Sequence, residues 1–139
     1  ADTRALSTTE VDLTAIEIGQ QIKVMWQGKP VFVRHRTPAE IATALRDDYA
    51  QLKDPQSDAE RIRQEDGQAG KPEWLILQAN CTHLGCVPTF VEGSAFGGWF
   101  CPCHGSDYDT SGRIRRGPAP KNLEIAPYLY LTETSIRIG

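Results

Sequence analysis

Two short boxes carry the residue types most able to do chemistry: Cys81-Thr82-His83-Leu84-Gly85-Cys86 and Cys101-Pro102-Cys103-His104. They contain all four cysteines and two of the three histidines of the 139-residue chain. Soft thiolates and borderline imidazoles clustered this way point to a metal site. Six candidate ligands exceed the four of a tetrahedral zinc site. A four-cysteine iron–sulfur cluster would leave both histidines idle. One division uses all six: two Cys and two His on a [2Fe–2S] cluster, with the other two Cys paired to each other.

The string C-T-H-L-G-C followed by C-P-C-H-G-S-x-Y resembles the Rieske iron–sulfur proteins of the cytochrome bc1 type. The similarity extends to Gly28-Lys29-Pro30, His35-Arg36-Thr37, Lys71-Pro72-Glu73-Trp74, Gly97-Gly98-Trp99, Ser111-Gly112-Arg113-Ile114 and Gly117-Pro118-Ala119-Pro120. These strings, with the segment between Glu40 and Lys71, favour the bc1 branch over the related b6f branch, which uses plastoquinol. The resemblance implies that Cys81 and Cys101 ligate one iron of a [2Fe–2S] cluster and that His83 and His104 ligate the other. It implies a Cys86–Cys103 disulfide between the two loops. It implies hydroxyl donors at Ser106, to a bridging sulfide, and at Tyr108, to the Cys81 sulfur. Leu84, with Gly117 and Pro118 of the proline loop, would form the docking tip.

Charge counting gives the mixed ligand set its meaning. Two ferric ions, two sulfides, two thiolates and two neutral imidazoles sum to zero, so an electron enters more easily than at a four-thiolate dianion. The midpoint should fall within roughly −150 to +300 mV, raised by donors to the sulfurs. An imidazole bound to oxidised iron also gives up its outer proton more readily than one on reduced iron. That suits a donor of one electron plus one proton, and the resemblance makes His104, with His83, the quinol-facing group. The implied activity is oxidation of ubiquinol at cytochrome b and reduction of cytochrome c1. The implied enzyme is quinol–cytochrome-c reductase, of which the isolated head would not turn over quinol. The competing readings are a Rieske ferredoxin or oxygenase domain, which lacks the extra cysteine pair, and a colourless zinc module. Where close relatives carry His, this chain has Asp107, expected to face solvent.

Several elements must position the boxes. Residues 11–18 should contain a first strand, Gln21 to Trp26 a second, and Pro30 to Arg36 a third, as a hairpin across Gln27-Gly28-Lys29. Thr37-Pro38-Ala39-Glu40 is a capping box. It predicts a helix over 38–51 with Ile41, Ala44, Leu45 and Tyr49 inward. Residues 53–71 read as a mobile surface insertion with one helical turn near Asp58. Glu73 to Ala79 is a buried strand leading into the first box. Short strands are expected near 113–114 and 123–125, and a closing hairpin over 128–132 and 135–138. Arg113, Arg115 and Arg116 read as a solvated basic face, His35 as a solvated strand-end residue, and Trp99 as core beneath the loops.

The predicted fold is all-β, a Rieske-type antiparallel three-sheet fold with a cluster-binding subdomain and one helical insertion. Residues 1–10 would end a hinge and 11–139 form the domain. Its base would be 11–78 and 121–139, and its cluster-binding subdomain about 79–120. A net charge of −3 gives no basic footprint for nucleic acid. No run of 18 apolar residues is present. The family's N-terminal membrane anchor is thus expected outside this chain, which reads as a soluble head. A disulfide places it on the oxidising side: the periplasm, or the mitochondrial intermembrane space.

Overall fold

The computed structural model describes residues 7–80 and 86–139. The order is β1 (Thr9–Asp12), a 3-10 turn (Leu13–Ala15), β2 (Gln21–Trp26), β3 (Lys29–His35), α1 (Pro38–Asp47), α2 (Asp58–Arg61), β4 (Trp74–Gln78), β5 (Thr89–Phe90), β6 (Gly97–Cys101), β7 (Ser106–Asp109), β8 (Ile114–Arg116), β9 (Tyr128–Thr132) and β10 (Ser135–Ile138). Among the described residues these strands form three antiparallel sheets, β1-β10-β9, β2-β3-β4 and β5-β6-β7-β8. The all-β, three-sheet expectation is met.

The middle sheet serves two cores. Successive side chains of a strand point to opposite faces. In β4, Trp74 and Ile76 enter one cluster with Val31, Val33, Tyr128 and Ile136, while Leu75 and Leu77 enter another with Trp99, Tyr108, Ile114 and Leu123. This explains the unbroken apolar run of β4: neither face is wet. Each fully buried aliphatic side chain here contributes about 1.5–3 kcal/mol. The β2–β3 turn places Gln27 and Gly28 at φ 50° and 74°, the left-handed pair that matches strand twist in a two-residue hairpin.

Helix α1 starts where the capping box put it. Thr37 Oγ1 accepts from Glu40 N at 3.1 Å, with Pro38 in the first turn. The inward stripe is otherwise. Ala44 is buried, Leu45 is 50% exposed, and the helix ends before Tyr49, which is 93% exposed. The reason is that α1 packs on arginines rather than on apolar sheet. Glu40 takes Arg34 bidentately at 2.7 and 2.8 Å, and the Ala44 carbonyl accepts from Arg113 at 2.7 Å. The first strand lies earlier than expected and gives way to the 3-10 turn. The 123–125 segment makes only a bridge, Leu77 to Ile125. His35 is half-buried, stacked on Trp74 with centroids 4.1 Å apart, and its Nδ1 lies 2.8 Å from the Ile16 carbonyl. The closing hairpin, β9–β10, is as predicted.

Candidate metal centre

Strands β6 and β7 form a hairpin whose last pair is Cys101 and Ser106. The four residues between them project the second box, and Gly105 N closes the turn on Cys101 O at 3.0 Å. Cys101 therefore sits at the strand end with 1% exposure, while Cys103 and His104 are exposed on the loop. Cys86 and Cys103 are joined by a disulfide. The three sulfurs of Cys86, Cys101 and Cys103 lie within 4.8 Å of one another.

This arrangement narrows the divisions left open by the residues. With Cys86 and Cys103 bonded to each other, a four-cysteine site is excluded. The second box keeps one buried thiol, Cys101, and one imidazole at the surface, His104. That donor pair fits half of a two-Cys, two-His set. Cys81, His83 and Leu84, expected to supply the remaining ligands and the docking tip, lie outside the described residues.

The hairpin's support is equally specific. Ser106 and Tyr108 are both buried on β7. Ser106 Oγ accepts from Ala119 N at 3.2 Å, which keeps its own proton available to donate elsewhere. Gly117 has φ +107°, and a Cβ there would lie 2.6 Å from Ser106 Cα. The 117–120 loop thus lies backbone to backbone on the second box, an approach that only glycine permits. Gly117 and Pro118 are exposed and Ala119 is buried. Trp99 is core, as predicted, with Phe90 edge-on at 5.2 Å.

The first part of the expected surface insertion, residues 53–63, is packed into the molecule. Arg36, Arg61 and Arg113 are at most 1% exposed and bind this segment to the far side of the β7–β8 turn. Arg36 pairs bidentately with Asp58 at 2.8 and 2.9 Å, and Ser111 Oγ donates to the same carboxylate at 2.6 Å. Arg61 donates to the carbonyls of Ser111 at 2.6 Å and Leu123 at 2.7 Å. Arg113 pairs with Asp109 at 2.9 Å and with Asp48. Burial alone would push the Asp58 carboxyl up. The Arg36 bonds and charge, the Ser111 hydroxyl and Arg113 reverse that and hold it below its ordinary value. Burial lowers Arg61 to about 10, still charged at neutral pH, against the pull of Asp109 and Asp58.

Two sequence expectations change accordingly. Arg113 is fully buried rather than part of a solvated face, because its carboxylate partners come from the α1 end and from β7. Asp107 is 7% exposed, and its Oδ2 accepts from Arg116 Nε at 3.0 Å, since the register pairs the two residues across β7 and β8. Sequence reasoning missed Lys53, Asp54 and Asn122 altogether. Lys53 Nζ donates to the carbonyls of Ala119 at 2.8 Å and Gly117 at 3.2 Å. Asn122 N and Nδ2 donate to Asp54 Oδ2 and O, both at 2.9 Å. No local pattern announces contacts between residues more than sixty positions apart.

A family model described as the Rieske [2Fe-2S] domain matches residues 49–128. The chain belongs to the Rieske [2Fe-2S] family. A [2Fe–2S] cluster is the group this family holds, and the buried Cys101, the exposed His104 and the Cys86–Cys103 disulfide fit it. The Rieske chain is 54% identical to a protein of Neurospora crassa named cytochrome b-c1 complex subunit Rieske, mitochondrial, over all of this chain and 57% of that one. It is 58% identical to the Saccharomyces cerevisiae protein of the same name, over 92% of this chain and 56% of that one. It is 52% identical to the Rhodospirillum rubrum ubiquinol-cytochrome c reductase iron-sulfur subunit, over all of this chain and 74% of that one. It thus spans little more than half of the two fungal relatives. A solved structure of a hyperthermophilic respiratory complex III superposes with TM-score 0.62 at 26% identity, over 98% of this chain and 78% of that one. A cyanobacterial plasma-membrane Rieske protein shares the fold, with TM-score 0.54 at 20% identity. Among the described residues no helix is long and apolar enough to cross a membrane.

Proposed function

We propose that this Rieske chain is the electron-carrying head of a ubiquinol–cytochrome-c reductase, taking an electron from ubiquinol at cytochrome b and passing it to cytochrome c1. The observation that carries the reading is the Cys86–Cys103 disulfide. It is the extra cysteine pair of the bc1-type proteins, which Rieske ferredoxins and oxygenase domains lack. The names of the relatives point the same way.

When bound, the cluster stores one electron at high potential. Cys81 and Cys101 would hold one iron, His83 and His104 the other. Cys101, buried at the strand end, would hold the inner side, and His104, exposed on the loop, would hold the solvent side. There its second nitrogen can hold the proton that leaves quinol with the electron. Ser106 and Tyr108 would donate to cluster and Cys81 sulfurs, favouring the reduced state. The disulfide keeps the two ligand loops together, and Leu84, Gly117 and Pro118 would meet the partners. Residues 79–120 form the cluster-binding unit of this reading, supported by the separate β5–β8 sheet within it. The head would work on the periplasmic or intermembrane-space side of the membrane. The head alone should not turn over quinol, because in this reading cytochrome b supplies the quinol.

Pulsed EPR of the reduced chain, grown with 15N-histidine, tests the ligand set. Two strongly coupled histidine nitrogens are expected. Their absence would leave an all-thiolate or nonspecific site and end this reading.

A further inference from the structure

We propose that Lys53 is a positioning residue for the cluster, acting through the 117–120 loop on the Ser106 hydroxyl. The proposal rests on the reading of Ser106 as a donor to the cluster. The contacts run in one chain. Lys53 Nζ holds the carbonyls of Gly117 and Ala119 at 3.2 and 2.8 Å. The amide of the same Ala119 donates to Ser106 Oγ at 3.2 Å. A Cβ on Gly117 would lie 2.6 Å from Ser106 Cα and 2.8 Å from Gly105 O, so the loop cannot shift inward without moving the second box.

An ammonium donor makes stronger hydrogen bonds than a neutral one and here spans two carbonyls two residues apart. Its neighbour Asp54 grips Asn122 through two further bonds, and Asn122 Oδ1 accepts from Ile114 N at 3.0 Å. The loop is therefore fixed at both ends from residues 53 and 54, which are themselves anchored by the buried Arg36–Asp58 and Arg61 contacts. With the Ala119 amide fixed, one lone pair of Ser106 Oγ is occupied and the direction of its O–H is restricted. Releasing the loop frees that hydroxyl to rotate, so it spends less time donating to sulfur. Fewer donors to sulfur mean a less stabilised reduced state and a lower midpoint.

The test is a redox titration of Lys53→Met, Lys53→Arg, Ser106→Ala and the Lys53→Met/Ser106→Ala double variant, with Ala119 amide exchange measured alongside. Lys53 is exposed, so far-UV circular dichroism should be unchanged. Lys53→Met should lower the midpoint and speed Ala119 exchange, Lys53→Arg should restore part of both, and the double variant should match Ser106→Ala alone. Should Lys53→Met fail to take up the cluster, Lys53→Gln, which can still reach one carbonyl, replaces it in the same comparison. An unchanged midpoint in these variants overturns the proposal. So does a shift that persists undiminished in the Ser106→Ala background, because Lys53 then acts as a bare charge. If Ser106→Ala itself leaves the midpoint unmoved, the reading of Ser106 fails and the proposal with it, a result distinct from the other two.

Discussion

The loop at 102–105 and the segment at 53–63 look alike in sequence: polar, interrupted by proline or glycine, and without apolar periodicity. The first is exposed, and a covalent bond from Cys103 to Cys86 holds it. The second is drawn into the molecule by three buried arginines and the carboxylates they meet. The difference teaches that a polar segment is solvated only if its charges lack partners. Where Asp58 faces Arg36, and Arg113 faces Asp48 and Asp109, desolvation is compensated by charge-assisted bonds, and the segment becomes a rigid platform for the site.

If that contrast is right, damage in the two places should differ in reach. Asp58→Ala leaves the Arg36 guanidinium buried and unpaired, and should cost about 3–5 kcal/mol in urea unfolding. A cost under about 1 kcal/mol would mean the network is a solvated patch. Cys103→Ser removes a bridge across 17 residues. It should cost about 3 kcal/mol and abolish the cluster's visible spectrum while far-UV circular dichroism stays native. Collapse of the sheets as well would join the two regions into one unit. The acid limb should be smaller. Asp58 is held below its ordinary value of 3.8, so its stabilisation is complete above that pH and is lost as pH falls through the depressed folded value. An Asp58→Asn chain should show a shallower acid decline over that window. The smallest effect should be that of Arg116→Ala. Its side chain is 64% exposed beside Asp107, and the pair is worth less than about 1 kcal/mol.

How much was legible follows the same division. Cys and His chemistry, strand alternation, the Thr37 cap and the closing hairpin are written locally, so they could be read in order along the chain. The fate of Arg61, Arg113 and Lys53 is not local. Each donates to a backbone carbonyl fifty to seventy residues away, which no residue type marks. Leu45 and Tyr49 misled for the complementary reason: the surface opposite α1 is built of arginine rather than leucine, so an apolar stripe had nothing to pack against.

The most direct measurement is the midpoint potential of the reconstituted chain across pH, followed by EPR. The proposed ligation by His83 and His104, in a cluster that would be neutral when oxidised, predicts a high midpoint within roughly −150 to +300 mV that falls as pH rises above neutrality. A low midpoint independent of pH near neutrality would contradict the account and point to a ferredoxin-like carrier.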